Sequence, residues 1–409
     1  MTRAAGLVLV AVSMLAVPRA AAAQYSYRGF VDAGLTWYPR EAPNDDTHLV
    51  ADVQARFEPS IEVRPWLSFA GSFEGRADTH HQVGTGGVYW DRTLRRPAVA
   101  VRTATATLTR GPLSVDVGKQ FVRWGTSDII SPTDYLTARD YIITAASEVL
   151  AVTAVRVSVT HADDGVEFVY APRMTPSRTP LVDQRWVGLQ ASASGLPLLD
   201  GPSQFSDVPA FALRYHRTGR VEFSGSFFQG PHHLPLLETT IEPLEPSIVI
   251  SRSYPDTRAF GADLVTTVGG VTIRAEAAWL YARSKDADDY GLWVVQGERQ
   301  VGEWLLLGGY VGEHEIETRG AMRFAADRGL ARSFIARLSR TFDDGRAVSV
   351  ESLIRQDAEG VYVKAEYSRL VKANWRVTGQ FLLLGGSDTD FLGQYRRNSF
   401  GSGRARFSF

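Results

Sequence analysis

At 409 residues the chain is long enough for two or three soluble domains or for one large barrel. It has no cysteine, which excludes disulfides and thiolate chemistry, and its formal net charge of −1 makes no case for nucleic acid. The hydrophobic fraction of 44% is ordinary, and beyond residue 23 no apolar run approaches the ~18 residues of a membrane-spanning helix.

The chain opens with a basic MTR, an apolar stretch from Ala4 to Val17, and the small residues RAAAAQ. That order predicts an export signal over 1–23, cleaved after Ala23, ahead of a single domain over 24–409. Period-two alternation over about ten residues then recurs along the chain. In 49–58, Leu49, Ala51, Val53, Ala55 and Phe57 alternate with Val50, Asp52, Gln54, Arg56 and Glu58. The same split appears in 67–76, 271–279, 361–368 and 375–381. Ten residues is the length a tilted strand needs to cross a bilayer, with one row meeting lipid and the other water.

A soluble β-sandwich alternates too, but two features favour a barrel. Aromatic residues sit near strand ends (Trp37, Trp66, Trp279, Trp304, Trp375), where an interfacial girdle belongs. Connections also alternate in length. Tight links fall at 64–66, 110–113, 162–165, 217–220, 268–270, 301–303, 343–345 and 371–374. Longer polar stretches fall at 39–47, 78–97, 123–147, 172–208, 230–257, 282–289, 313–330 and 385–398. Eight hairpins, an opening strand (25–38) and a closing strand (399–409) predict an all-β transmembrane antiparallel barrel of about 18 strands (16–18). Segment 184–194 could be another strand, but counting it breaks the even number, so it belongs to the 172–208 excursion. The chain ends on Phe409, with Ala405 and Phe407 on the same row and Arg404 and Arg406 opposite. A terminal Phe on an alternating strand resembles the end that barrel-assembly machinery reads in bacterial outer-membrane proteins.

The longest departure from alternation is 115–148, VDVGKQFVRWGTSDIISPTDYLTARDYIITAASE. Gly118, Lys119, Gln120, Trp124, Gly125, Asp128, Pro132, Asp134, Arg139 and Asp140 carry a pattern there that resembles a family of porin-like outer-membrane proteins of unknown function, distantly similar to alginate-export barrels. Segments 167–180 and 211–235 echo it, and Ser131 departs from it, where Asn would be expected. The resemblance implies an outer-membrane barrel that acts as a pore, without a solute. Read from the residues, Gly125 permits a sharp redirection and Ser131-Pro132 with Asp134 favours a turn. Arg123, Asp128, Asp134, Arg139 and Asp140 are therefore expected either to line a constriction or to pin the segment to the wall. The stretch ITAASEVL is expected to form one or two helical turns inside the barrel.

The pairs His80-His81 and His232-His233 lie in predicted long loops and lack the further ligands a metal would need. The acidic clusters at Asp45-Asp46, Asp163-Asp164, Asp286 to Asp289 and Asp343-Asp344 lack the spacing of a calcium loop and read as turns. Neither a G-x-S-x-G nucleophile motif nor a phosphate-binding glycine loop occurs, so no catalysis and no cofactor are expected. The reading that follows is a passive outer-membrane channel for small hydrophilic solutes, with membrane lipid and lipopolysaccharide around it. The alternatives are a dedicated exporter or receptor with a plugged lumen, as for a polysaccharide, and a structural or adhesive barrel.

Overall fold

The computed structural model describes residues 24–188, 195–243, 245–318, 324–342, 345–356 and 359–409. The expected signal segment 1–23, most of 184–194 beyond Gly188, and the Asp343-Asp344 pair lie outside these residues. No helix among them is long and apolar enough to cross a membrane.

The strands in chain order are β1 (Gln24–Trp37), β2 (Leu49–Arg64), β3 (Leu67–Asp78), β4 (Val83–Val88), β5 (Arg96–Arg110), β6 (Leu113–Gln120), β7 (Arg139–Asp140) and β8 (Glu148–Val149). They continue with β9 (Val152–His161), β10 (Asp164–Ala171), β11 (Leu198–Gln204), β12 (Ala210–Arg217), β13 (Val221–Pro231), β14 (Leu236–Glu242), β15 (Ser247–Ser253) and β16 (Asp256–Val268). The last eight are β17 (Val271–Ala282), β18 (Asp289–Val301), β19 (Trp304–Glu317), β20 (Ser333–Thr341), β21 (Arg346–Arg355), β22 (Gly360–Lys372), β23 (Trp375–Gly386) and β24 (Phe400–Ser408).

Leaving aside β4, β7, β8, β11, β14 and β15, each strand pairs antiparallel with its neighbours in sequence, which gives 18 staves. The ring closes where β1 pairs with β2 on one side and with β24 on the other. Closure removes every free sheet edge from the membrane, the condition for crossing lipid with strands. At the seam the Gly29 N–H donates to the Phe409 carbonyl (2.9 Å) and the Phe409 N–H returns a bond to the Gly29 carbonyl (3.0 Å). A side chain at 29 would collide with the Phe409 ring, so Gly29 leaves the place that ring occupies.

The two rows of each stave separate as the alternation predicts. Leu49, Val53 and Phe57 of β2 are exposed on the outer face, while Arg56 on the opposite row bonds Glu74 inside at 2.6 Å. Trp375, Val377 and Phe381 of β23 are likewise exposed. On a membrane barrel such exposed apolar rows are the lipid-facing surface rather than a defect.

All eight tight links fall at one end of the ring, and the long connections fall at the other. The ninth connection at the long-loop end, between β21 and β22, is only four residues long, which is why polarity did not mark it as a loop. The 172–208 excursion contributes no stave. Instead β11 pairs with β15, and β15 with β14, in a small accessory sheet built from two long loops. The stretch ITAASEVL forms a single 3-10 turn, Thr144–Ala146, followed by β8, which pairs with β7.

Candidate functional site: the inward segment and the lumen

Residues 121–151 fold into the barrel, and the inner wall is shaped to receive them. Trp124, Tyr135 and Leu136 form one buried cluster with Ala154, Ala171, Ala212, Ala259 and Ala278, which lie on the inner rows of β9, β10, β12, β16 and β17. Small residues on five staves leave space that the segment fills. Gly261 on β16 completes the seat, because a Cβ there would stand 1.8 Å from the Tyr135 hydroxyl oxygen.

Three wall carboxylates hold the segment or its charges. Glu276 on β17 accepts the Thr126 N–H at 2.6 Å, the Thr133 hydroxyl at 3.0 Å and the Ser127 N–H. Glu167 on β10 accepts the Trp124 indole N–H and is paired with Arg156. Glu74 on β3 binds Arg56 and Arg76, and Arg76 reaches on to Glu148 at 2.5 Å. A buried carboxylate surrounded by donors is a strong anchor, since hydrogen bonds to charged groups are stronger than neutral ones.

Within the segment, the Asp134 carboxylate accepts the Trp124 N–H (2.7 Å) and the Gly125 N–H (2.8 Å), which closes the turn over Pro132. Arg123 stands 3.6 Å from the same carboxylate. At Gly125 a Cβ would meet the Ser131 side chain at 2.4 Å, so the turn needs glycine there. Asp128 projects into the lumen, where it accepts the Gln296 amide at 3.1 Å and lies 4.0 Å from Arg274.

Gly118 has φ +126°, and a Cβ would come within 2.1 Å of the Ala104 carbonyl oxygen. Lys119 beside it is buried, donating to the Tyr89 and Val101 carbonyls (2.6 and 2.7 Å) and pairing with Asp91 at 2.6 Å. Gln120 donates to the Ala154 carbonyl at 3.1 Å. From Asp91 a chain of buried charges continues through Arg178 (2.6 Å) to Asp140 (3.1 Å), which also binds Arg96 at 2.9 and 3.0 Å. Burial opposes ionisation of Asp140, but the guanidiniums of Arg96 and Arg178 outweigh it and hold its carboxyl below the ordinary carboxylate range. Glu148 is held at about 2, where Arg76 above all overcomes the cost of burial.

His80 sits in a second buried group, 2.7 Å from Asp45, with Arg185 stacked 3.8 Å from the Tyr38 ring. Burial tends to raise the Asp45 carboxyl, but its bonds from His80 and Thr47 bring it down to about 2. His233 receives a Ser177 contact at 2.9 Å, and burial, then His232 and Arg139, push its pKa well below the ordinary histidine value. Among the described residues no group of three or more His, Asp or Glu is placed to hold a metal ion.

Two further loops join the inward segment at the mouth. Trp186 and Leu181 from the 172–209 connection, and Leu392 and Tyr395 from the 387–399 connection, are buried. Trp186, Leu392 and Tyr395 pack on inner-row residues such as Val294, Leu353 and Leu382. Between the docked segment and the opposite wall, β20 to β23, remains a cavity of about 410 Å³. Arg139, Asp128, Lys364 and the Arg337–Glu351 pair line it, with Ile129, Ile130 and Leu384 as apolar surface. Among the described residues neither Arg139 nor Lys364 has a carboxylate within ion-pair distance.

Of the residues singled out in sequence, Arg139 and Asp128 therefore face the cavity, whereas Asp134 is buried in the segment's own turn and Asp140 in ion pairs to Arg96 on β5 and Arg178 on the 172–209 connection. Asp91, Arg96, Glu167, Arg178 and Glu276 escaped the sequence reading. Each lies outside the segment, on a stave or loop whose register alternation alone does not reveal, although Glu167 and Arg178 fall within the echoing stretch 167–180.

No protein-family model and no curated protein matches the sequence. Solved structures do match in fold. A BenF-like porin from Pseudomonas fluorescens Pf-5 aligns over 95% of this chain and 98% of its own, with TM-score 0.55 and 10% identity. Acinetobacter baumannii OccAB4 aligns over 94% and 98%, with TM-score 0.56 and 10% identity. Pseudomonas aeruginosa OpdK, solved with vanillate, aligns over 94% and 98%, with TM-score 0.54 and 10% identity. The chain has the fold of porin-like bacterial outer-membrane β-barrels. These matches do not bear on the alginate-export side of the resemblance.

Proposed function

We propose that this barrel is an outer-membrane channel for passive diffusion of small hydrophilic solutes, with residues 121–151 forming its constriction. The observation that carries the reading is the cavity left between the docked segment and β20 to β23, which bears charged groups on both sides. A lumen meant only as scaffold would be filled with paired or apolar side chains, yet Arg139 and Lys364 face open space. The barrel fold and its lipid-facing apolar rows support an outer-membrane address. Residues 1–23 act as the export signal, and Phe409 serves as the assembly mark. No step of the reading needs catalysis or a cofactor.

In this account Asp134 and Asp140 pin the segment, while Asp128 and Arg139 tune what passes. Swelling of liposomes containing the purified barrel tests the channel. Swelling in the smallest sugars and amino acids, falling steeply with solute size, is the expected result. Impermeability to every solute overturns it.

A dedicated exporter or receptor is the second reading, favoured by the burial of Trp186 and Tyr395 at the mouth. On that reading permeability appears only after the 387–399 loop is shortened.

A further inference from the structure

A basic recess lies at the long-loop rim of the seam, where the loop after β1 meets the loop before β24. Pro39, Arg40, Glu41, His48, Arg396 and Arg397 line it. Arg396 is paired with Asp388, and His48 stands 3.9 Å from Glu41. Among the described residues neither Arg40 nor Arg397 has a carboxylate within ion-pair distance, so the recess carries three guanidiniums against the single carboxylate of Glu41 and the Asp388 partner of Arg396.

The direction in which the recess faces follows from the local helical repeat. Leu392, Tyr395 and Asn398 are buried, three residues apart, so the 3-10 turn over Gly393–Asn398 presents that row to the lumen. Arg397 falls on another side and is exposed, and Arg396 shares its row with the buried Gly393. Directly beneath, Trp37 pairs with Gly401 at the top of the seam, and Trp37 and Leu49 are more than half exposed on the outer face. Arg40 begins three residues beyond Trp37. The recess therefore sits just past the apolar belt, at the level where headgroups meet water.

We propose that this recess binds a phosphate group of an outer-leaflet lipid headgroup. A phosphate accepts from two guanidinium forks at once, which suits two arginines that make no ion pair among the described residues.

Native mass spectrometry of the full-length barrel in detergent, titrated with a bis-phosphorylated glucosamine glycolipid, tests the site. The variant R40A/R397A is compared with R369A, an exposed arginine at the tight-turn end. Unchanged heat-modifiable gel migration confirms that both are folded. The account predicts roughly tenfold weaker lipid binding for R40A/R397A, wild-type binding for R369A, and equally weak wild-type binding of the dephosphorylated glycolipid. Millimolar inorganic phosphate is the competing arm. If it leaves lipid binding intact, the site is a headgroup site. If it displaces the lipid completely, the headgroup assignment is overturned in favour of free phosphate. Equal binding by wild type and R40A/R397A, or indifference to the lipid's phosphates, overturns the site itself. None of these readouts depends on whether the lumen conducts.

Discussion

Glu276 shows how much a single inner-row residue decides. It sits mid-stave on β17 and accepts from Thr126, Ser127 and Thr133, so it holds both arms of the turn that carries Asp128. Replacing it with Ala leaves those donors buried without an acceptor, at a cost of about 2–3 kcal/mol to docking of the segment. E276A is therefore expected to become cleavable by added protease within 123–147, while the barrel itself stays resistant. A second residue-scale consequence concerns acid. Glu148 and Asp140 are held below their ordinary values, so both bind protons more readily in the undocked chain than in the docked one. Their stabilisation is full above about 4.5 and is lost as pH falls toward about 2, Glu148's value in place. The segment should stay docked at pH 5 and loosen reversibly near pH 2–3, read by the same protease after brief acid exposure and neutral trapping with a crosslinker.

The inward segment and its seat are one unit, and half of that unit was legible in the sequence. Trp124-Gly125, Ser131-Pro132 and Asp134 announced a turn, because their backbone chemistry is local. The seat was not legible. An alanine on an inner row reads the same whether it faces water or a docked tryptophan, so Ala154, Ala212 and Ala259 gave no sign of their role. Gly261 makes the point testable. G261A places a methyl group against the Tyr135 hydroxyl and should destabilise docking by about 1–3 kcal/mol, as overpacking does. Adding Tyr135→Phe, which removes that oxygen, should restore thermal stability most of the way. A G261A protein as stable as wild type would contradict the seat. The accessory sheet of β11, β14 and β15 was hidden for a related reason. Its strands sit inside polar loops, and β11 reaches β15 across some 50 residues, so neither alternation nor turn spacing isolates the sheet.

At the scale of the whole molecule the barrel was the most legible feature, because lipid and water impose their periodicity on every stave at once. Leu49, Val53 and Phe57 against Arg56, or Phe407 against Arg404 and Arg406, gave the sidedness residue by residue. The tight links gave the stave number. The filling of the lumen was not legible, since it depends on which of nine connections turn inward. Among the described residues 121–151, 172–209 and 387–399 do so, and Ala326, Asp327 and Leu330 of the 318–332 connection line the same cavity. The buried chain Lys119, Asp91, Arg178, Asp140 and Arg96 ties the first two together, and removing Arg178 takes one of two cations from each buried carboxylate. R178M should lower the unfolding temperature, because Asp91 then keeps only Lys119 and Asp140 only Arg96 as a buried counter-charge. A shift within error would show that this chain is solvated rather than structural.

The central claim is that the 121–151 segment narrows an otherwise continuous water path. Single-channel recording in planar bilayers, on wild type and on a variant with 126–137 replaced by a short glycine-serine linker, tests it most directly. The account predicts small, steady conductance steps for wild type and steps several-fold larger for the variant. A wild-type barrel that inserts and never conducts, or a variant with unchanged steps, would contradict it.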